Sequence, residues 1–513
     1  MAIDTTKESI CVNQLVGKKV ESRTVEGDVI VPDIKPDILS PVQTAGTVCI
    51  YRKEILDGKV KIDGTVQVYV IYSSDDEAGT TRGLNTSMDF TETLAMPNCI
   101  TGMDLVVKTV IESIDARVIN GRKINIRATV DFELKVYSNE NIDFISTING
   151  LNDMQKLEKD ISLDSLVGGG STKAFAKETI SVDTVDTIAE ILNASVLLIN
   201  KDTKVSYNKV LVKADALIRV LYLTEDNMIK SCQSNVPVTG IVDIQNVNEN
   251  HICDVNYEIK NLIVKPNVGD EHSIYVETEL EIFCSAYEKR NMTIIEDIYS
   301  PTQAISFTQK QIKIIENNDF FNDTFHVNEK MEIPELAGGK IYNVKIKPFV
   351  NMQRATNDEI DYEGDIKVDI LFWNDIENRA CNKIINLPMK YSLKVQGVND
   401  NSDIETEITC GKQDISLLPD GNVGLNVDIS FSVNSINYKD ISVLDEITED
   451  KNADNSSCSM VIYYVKSGDT LWNIAKQFRS TIEEITKINS IDNPETLQIG
   501  RQLFIPRFCF RQI

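Results

Sequence analysis

Histidine is almost missing from this chain of 513 residues, which holds only His251, His272 and His326. None sits in an H-E-x-x-H pair or behind a nucleophile elbow, which removes the common zinc-protease and serine-hydrolase readings. His251 and Cys253 supply a base and a thiol two residues apart. On one strand they point the same way without meeting head-on, and no third orienting group is evident. The ten cysteines are scattered without CxxC pairs or metal-ligand spacing, which fits reduced thiols in a cytosol better than a disulfide framework. No segment approaches the roughly 18 apolar residues of a membrane span. The N-terminal MAIDTTKESICVNQL lacks the basic-then-apolar order of a secretory signal. A phosphate-binding loop is missing too: Gly168, Gly169 and Gly170 precede Ser171 and Thr172, but no Lys follows in place, so a linker turn is expected there. Catalytic, cofactor and metal residues are accordingly expected to be none.

Positive charge is also in short supply, with 52 Lys and Arg against 78 Asp and Glu, for a net charge of −26. Such a surface repels nucleic acid and anionic lipid, and leaves a basic partner surface open. The C-terminal stretch from Tyr463 to Ile513 departs from this, with seven Lys or Arg against five Asp or Glu. Ordinary apolar content argues against wholesale disorder, and the length calls for several domains.

Internal repetition organises the remainder. GKVKIDGTVQVYVIYSSDDE at 58–77 realigns with 208–227 and again with 358–377, an offset of 150 residues each time. Gly64, Ala214 and Gly364 then coincide, as do Val66, Ala216 and Ile366, and Tyr72, Tyr222 and Phe372. A second strand repeats as Ile126, Ala128, Val130, Phe132 and Leu134, then Val276, Thr278, Leu280, Ile282 and Cys284, then Leu425, Val427, Ile429, Phe431 and Val433. Period-2 alternation marks half-buried strands, and alternation rather than continuous apolar runs favours antiparallel sheets. ICVNQLVG at 10–17 pairs with ISLDSLVG at 161–168, whereas IKIIENND at 312–319 has lost the LVG. The expected fold class is mainly β. Three tandem antiparallel sandwich-like repeats fall at 7–140, 157–290 and 308–440, with an acidic linker at 441–460 and a small domain at 461–507. Asp75, Glu225 and Asp375 recur three residues after the aromatic position. Calcium wants more oxygens than this turn offers, so turn chemistry and solvation are expected.

The small domain has its own pattern. Leu471, Ile474, Ala475 and Phe478 form the stripe of an amphipathic helix, with Asp469 or Thr470 as its cap. Ser480 and Thr481, each followed three residues later by Glu483 or Glu484, announce a second helix whose buried face is Ile482, Ile485 and Ile488. Gly500 then turns the chain into Leu503 and Ile505.

This strand, SGDTLW turn, helix pair and closing GRQLFIP strand resemble a LysM domain of βααβ form. The resemblance implies a shallow groove for N-acetylglucosamine-containing glycans, with Gly468, Asp469, Thr470, Leu471 and Trp472 on one side and Ile491, Asn493, Thr496, Leu497 and Ile499 on the other. Leu471 and Ile499 could instead be core, and Asp469 and Thr470 only caps. Trp472, with the apolar tail Phe508, Cys509 and Phe510, would suit an aromatic anchor in a protein interface or partial burial within the domain. Arg479 stands where many LysM domains carry Gly.

The LVG-opened repeats followed by a LysM unit resemble the SipL-like family of clostridial spore-coat morphogenetic proteins. That resemblance implies a non-enzymatic scaffold in the mother-cell cytosol, recruited to the forespore surface and spore coat. Its implied partners are a SpoIVA-like coat ATPase and other coat proteins, and the alternative is a protein that binds peptidoglycan or cortex glycan through the LysM groove.

Overall fold

The structure, a computed structural model, describes residues 4–76, 80–150, 153–183, 185–336, 339–418, 422–449, 460–494 and 496–508. The first repeat holds six strands: β1 (Asp4–Ile30), β2 (Ile38–Leu56), β3 (Lys59–Ser74), β4 (Thr81–Ala95), β5 (Asp104–Asn120) and β6 (Lys123–Asn149). They form two antiparallel sheets, ordered β2-β3-β4 and β1-β6-β5. The second repeat uses β7 (Gln155–Ser181), β8 (Ile188–Ser206), β9 (Lys209–Thr224), β10 (Ile229–Asp243), β11 (Ile252–Pro266) and β12 (Ser273–Tyr299) in the same order. The third uses β13 (Ile305–Met331), β14 (Lys340–Thr356), β15 (Glu359–Asn374), β16 (Arg379–Lys394), β17 (Asp403–Leu417) and β18 (Val423–Glu449).

Within each repeat the two sheets meet face to face. Ile126, Ala128, Val130, Phe132 and Leu134 of β6 are buried against Val60, Ile62, Val66 and Val68 of β3, and the alternation expected from sequence is the alternation of burial along β6. The first and last strands of every repeat outrun the sandwich. Asp4 to Leu15 pairs with residues up to Asn149 as a two-stranded ribbon, and β7 with β12 and β13 with β18 do likewise. The LVG signature lies where ribbon meets sandwich: the register slips between Leu15 and Gly17, and between Leu166 and Gly168. An extra residue on one strand bends it there. The third repeat slips between Ile315 and Asn317, so the bulge survives although the LVG is gone.

The ribbons correct two expectations. Residues 141–149 and 441–449, read as boundary and linker, belong to β6 and β18; their polar alternation is that of a ribbon with a narrow apolar seam. Residues 450–459 of the expected linker lie outside the described residues. Gly168, Gly169 and Gly170 are not a turn but strand, opposite Ala286, Ser285 and Cys284. A Cβ on Gly170 would stand 2.9 Å from Val242 Cγ1 and 3.0 Å from the Asp243 carbonyl, so β10 crosses too closely for any side chain.

Three equivalent contacts close the repeats around an approximate threefold axis. Ile71, Leu221 and Leu371 meet at one end with Val42, Leu192 and Tyr342. The ribbons meet at the other, where Ile10, Ile161 and Ile312 pack with Val12, Leu163 and Ile314. Beyond them lie Ile145, Ile295 and Leu444. Between these plugs the axis carries charge: Lys135 of the first repeat, 2 % exposed, pairs with Glu405 of the third. Lys108 approaches the same carboxylate at 3.5 Å. Burial pushes Glu405 upward, but Lys135 and Lys108 outweigh it and hold the carboxyl below its ordinary value. Asp254 of the second repeat, facing Glu405, is raised by burial and by that neighbour. Position by position Val106, Asp254 and Glu405 are equivalent, as are Lys135, Ser285 and Asn434. The three copies therefore diverged in charge so as to complement one another at the axis.

Candidate functional site

The C-terminal unit pairs β19 (Met460–Tyr464) with β20 (Gln502–Pro506) and packs them on α1 (Leu471–Phe478) and α2 (Ile482–Ile488). Thr470 caps α1, its Oγ1 accepting the Asn473 amide at 3.1 Å, and Thr481 caps α2 through the Glu484 amide at 3.2 Å. Asp469, the other candidate cap, accepts instead from the Lys466 amide at 2.7 Å and the Tyr463 hydroxyl at 2.8 Å. Those two donors hold its carboxyl below the ordinary range. On α2 Ile485 is buried, but Ile488 is 41 % exposed and leaves the expected apolar face.

The two sides of the expected groove are brought together. The Gly500 amide donates to the Val465 carbonyl at 2.8 Å, tying the later loop to the strand end before the turn. Gly468, Thr470, Asn493, Thr496 and Ile499 are exposed, whereas Leu471 and Ile491 are buried together in the core, with Leu497 packed against them. Thus Leu471, Ile491 and Leu497 belong to the core of the unit, and Ile499, 71 % exposed, does not.

Trp472 does not belong to this groove. It is 8 % exposed and packs edge-on against Tyr299 at the end of β12, with ring centroids 4.9 Å apart. Its indole N–H donates to Asp297 Oδ2 at 2.7 Å, and Lys476 one turn later reaches Asp297 Oδ1 at 2.5 Å. Neighbouring helix positions four apart share a face, so α1 presents both groups to the ribbon. The anchor is real, but its pocket lies on this chain's own second repeat. Of the tail, Phe508 donates its amide to the Arg479 carbonyl at 3.1 Å; Cys509 and Phe510 lie outside the described residues.

Sequence reasoning missed Asn489, which closes α2 onto β20. Its side-chain amide donates to the Ile485 and Phe504 carbonyls at 2.8 and 2.7 Å, and its carbonyl accepts the Phe504 amide at 2.7 Å. Asn489→Ala should cost the unit about 2 kcal/mol and speed hydrogen exchange at the Phe504 amide; unchanged exchange would show the staple to be idle. Arg479 ends α1 with φ of 56°, in the left-handed region. Arg479→Gly should stabilise the unit by about 0.5–1 kcal/mol, because glycine takes that conformation without a Cβ clash. A fall in its melting temperature would contradict this.

The enzyme readings gain nothing from proximity. His251 spends both ring nitrogens on Asn248, at 3.2 and 3.1 Å. The Cys253 thiol turns to Cys284 rather than to a base. Asp75 and Glu225 have their amides bound to the Asp37 and Thr187 carbonyls, as turn residues. Among the described residues no helix is long and apolar enough to cross a membrane.

The chain is therefore a tandem-repeat β protein with an appended βααβ module of LysM form. Residues 463–506 match the LysM domain family, and residues 37–119 and 187–267 match the SPOCS domain of SipL. It thus carries two segments of SPOCS type and a C-terminal LysM domain. The matched segments cover β2 to β5 and β8 to β11; the third repeat lies outside them yet has the same strand order. Over 47 residues the chain is 51 % identical to the cortical fragment-lytic enzyme of Bacillus subtilis (strain 168), covering 9 % of this chain and 11 % of that one, within the LysM region alone. It is 43 % identical over 61 residues to the secreted LysM effector ECP6 of Passalora fulva, 12 % of this chain and 27 % of that protein. The chain thus spans between a tenth and about a quarter of the length of these relatives. No solved structure matches it. The matched families are binding or scaffold domains.

Proposed function

We propose that the chain is a non-enzymatic scaffold of spore-coat assembly, whose three lobes form one body and whose LysM unit offers its groove to a coat-building partner. The observation that carries this is the docking of the module: Trp472 and Lys476 grip one carboxylate, Asp297, so the groove is held in one pose while Gly468, Thr470, Asn493, Thr496 and Ile499 stay exposed. A SpoIVA-like coat ATPase is the proposed partner, met at the forespore surface from the mother-cell cytosol, in keeping with the SipL-type domains. A fixed pose suits repeated engagement with an assembled layer, where each contact raises the effective concentration of the next.

The test is co-sedimentation of the full chain with that ATPase, comparing wild type with Ile499→Glu, a change at an exposed residue that leaves the core of the unit intact. Loss of binding by the folded variant is expected; full binding would refute the groove as the contact. A second reading rests on the 51 % identity with the cortical fragment-lytic enzyme. On that reading the same groove takes an N-acetylglucosamine oligomer, and titrating the oligomer into the full chain should shift the Gly468 to Leu471 amides.

A further inference from the structure

Between its apolar and ionic plugs the threefold axis runs through a half-open cavity of about 2040 Å³ to which all three repeats contribute. The three repeats differ at one cross-strand pair, which lines the cavity in the second and third. Thr47 faces Gln67 across the β2–β3 pair of the first repeat, and Leu197 faces Leu217 in the second. At the same place in the third, Lys347 faces Lys367 across β14 and β15. Like charges directly opposite on neighbouring strands are destabilising, and two sister repeats build the same sheet without them. The fold therefore does not require this lysine pair.

Other cations surround it. Lys345 lies two residues along β14, opposite Asp369, and Arg219 lines the cavity from the second repeat at the position equivalent to Asp369. Among the described residues, Arg219, Lys345 and Lys367 have no ion-pair partner within 4.0 Å, and Lys347 donates to the Ile111 carbonyl. Of the acids that line the cavity, Asp369 accepts Gln43 Nε2 at 2.8 Å, Asp131 accepts the Ser22 hydroxyl at 2.5 Å and Glu407 pairs with Lys201, while Glu112, Asp115 and Glu133 line it away from the lysine pair's own strands. Burial, then the charge of Lys367, brings Lys347 down to about 8, with Asp131 opposing. The Gln43 and Asn193 side-chain oxygens are buried without a hydrogen-bond partner, and each could accept from a hydroxyl. Leu197, Leu217 and Phe349 add apolar wall.

We propose that this axial cavity is a binding site for a small hydroxylated organic polyanion, whose carboxylate or phosphate oxygens are held by Lys347, Lys367 and Arg219. A bound polyanion converts the repulsion between the two lysines into attraction to a shared counter-charge.

The test uses the full chain and two probes, citrate for the carboxylate source and fructose 1,6-bisphosphate for the phosphate source. Each is titrated calorimetrically, against sodium chloride of equal ionic strength. Saturable one-to-one binding of at least one probe is expected, and the stronger probe identifies the anionic group. The variant Lys347→Thr with Lys367→Gln installs the pair found in the first repeat. It should weaken that binding at least about tenfold while melting no lower than wild type, because the repulsion is gone. No saturable binding of either probe at millimolar concentration would overturn the proposal, as would binding that the double substitution leaves unchanged.

Discussion

Glu405→Gln should destabilise the three-lobed body by about 3–5 kcal/mol, the usual cost of stranding a buried charge. Glu405 answers two lysines of another repeat, Lys135 and Lys108, and Lys135 is buried to 2 % exposure. Without the carboxylate both cations keep their desolvation cost and lose its compensation. Replacing the pair together, Lys135→Met with Glu405→Leu, should recover most of the loss, since apolar groups of similar volume suit a buried site as well as an ion pair does. Urea unfolding of wild type, Lys135→Met, Glu405→Leu and the double variant gives the coupling directly. A single-variant loss below about 1 kcal/mol would mean that water reaches the axis and screens the pair.

The same cluster sets a pH dependence with a defined sign. Glu405 has a depressed pKa in the fold, so its contribution is full above the unfolded value of about 4.3 and is lost as pH falls through the lower folded value. Asp254 is raised by burial and by Glu405, so its cost is present at neutral pH and is relieved as pH falls through its folded pKa. Subtracting the Glu405→Gln curve from wild type reports the first term together with the part of the Asp254 shift that Glu405 causes. That difference should be flat near neutrality and close in acid; a difference that grew on acidification would reverse the assignment.

The repeats were legible because they obey two local rules. Alternation along Ile126 to Leu134 and its copies fixes a strand with one buried face, and the recurrence at 150 residues fixes how many times it is used. Helix caps at Thr470 and Thr481 were legible for the same reason, being local chemistry. The closure around the axis was not. Ile71, Leu221 and Leu371 end strands whose preceding residues are already core, and nothing in the sequence separates burial inside a sandwich from burial between sandwiches. Nothing local sets Lys135 and Glu405 apart from solvated strand charges until the third repeat is brought beside the first. The polar ribbons read as linkers because a ribbon needs only a few apolar residues to join its neighbours. Asp297, which grips the LysM unit, stands where the other repeats have Thr147 and Glu446; that difference carries no meaning until Trp472, 175 residues away, is found against it.

Trp472→Ala should free the LysM unit from the ribbon while leaving both parts folded. The indole supplies the edge-on contact with Tyr299 and the hydrogen bond to Asp297, and truncating a buried Trp costs about 3–5 kcal/mol. Among the remaining ties, Lys476 to Asp297 is a partly exposed ion pair with side chains 37 % and 18 % exposed, and such pairs hold little on their own; the Lys476 ammonium over the Phe307 ring and the packing of Leu157 add to it. Small-angle scattering should show a larger radius of gyration, and the amides of residues 295–299 should exchange faster, while those of Ile474 and Ala475 keep their protection. Asp297→Ala should act in the same direction, leaving the indole N–H and the Lys476 ammonium without their shared acceptor. An unchanged scattering profile from both variants would mean that other contacts hold the module. The consequence for function is separable: a freed LysM with its groove intact should still take a single partner molecule, but bind an assembled partner layer more weakly. On the proposed function, docking contributes orientation and the groove contributes recognition.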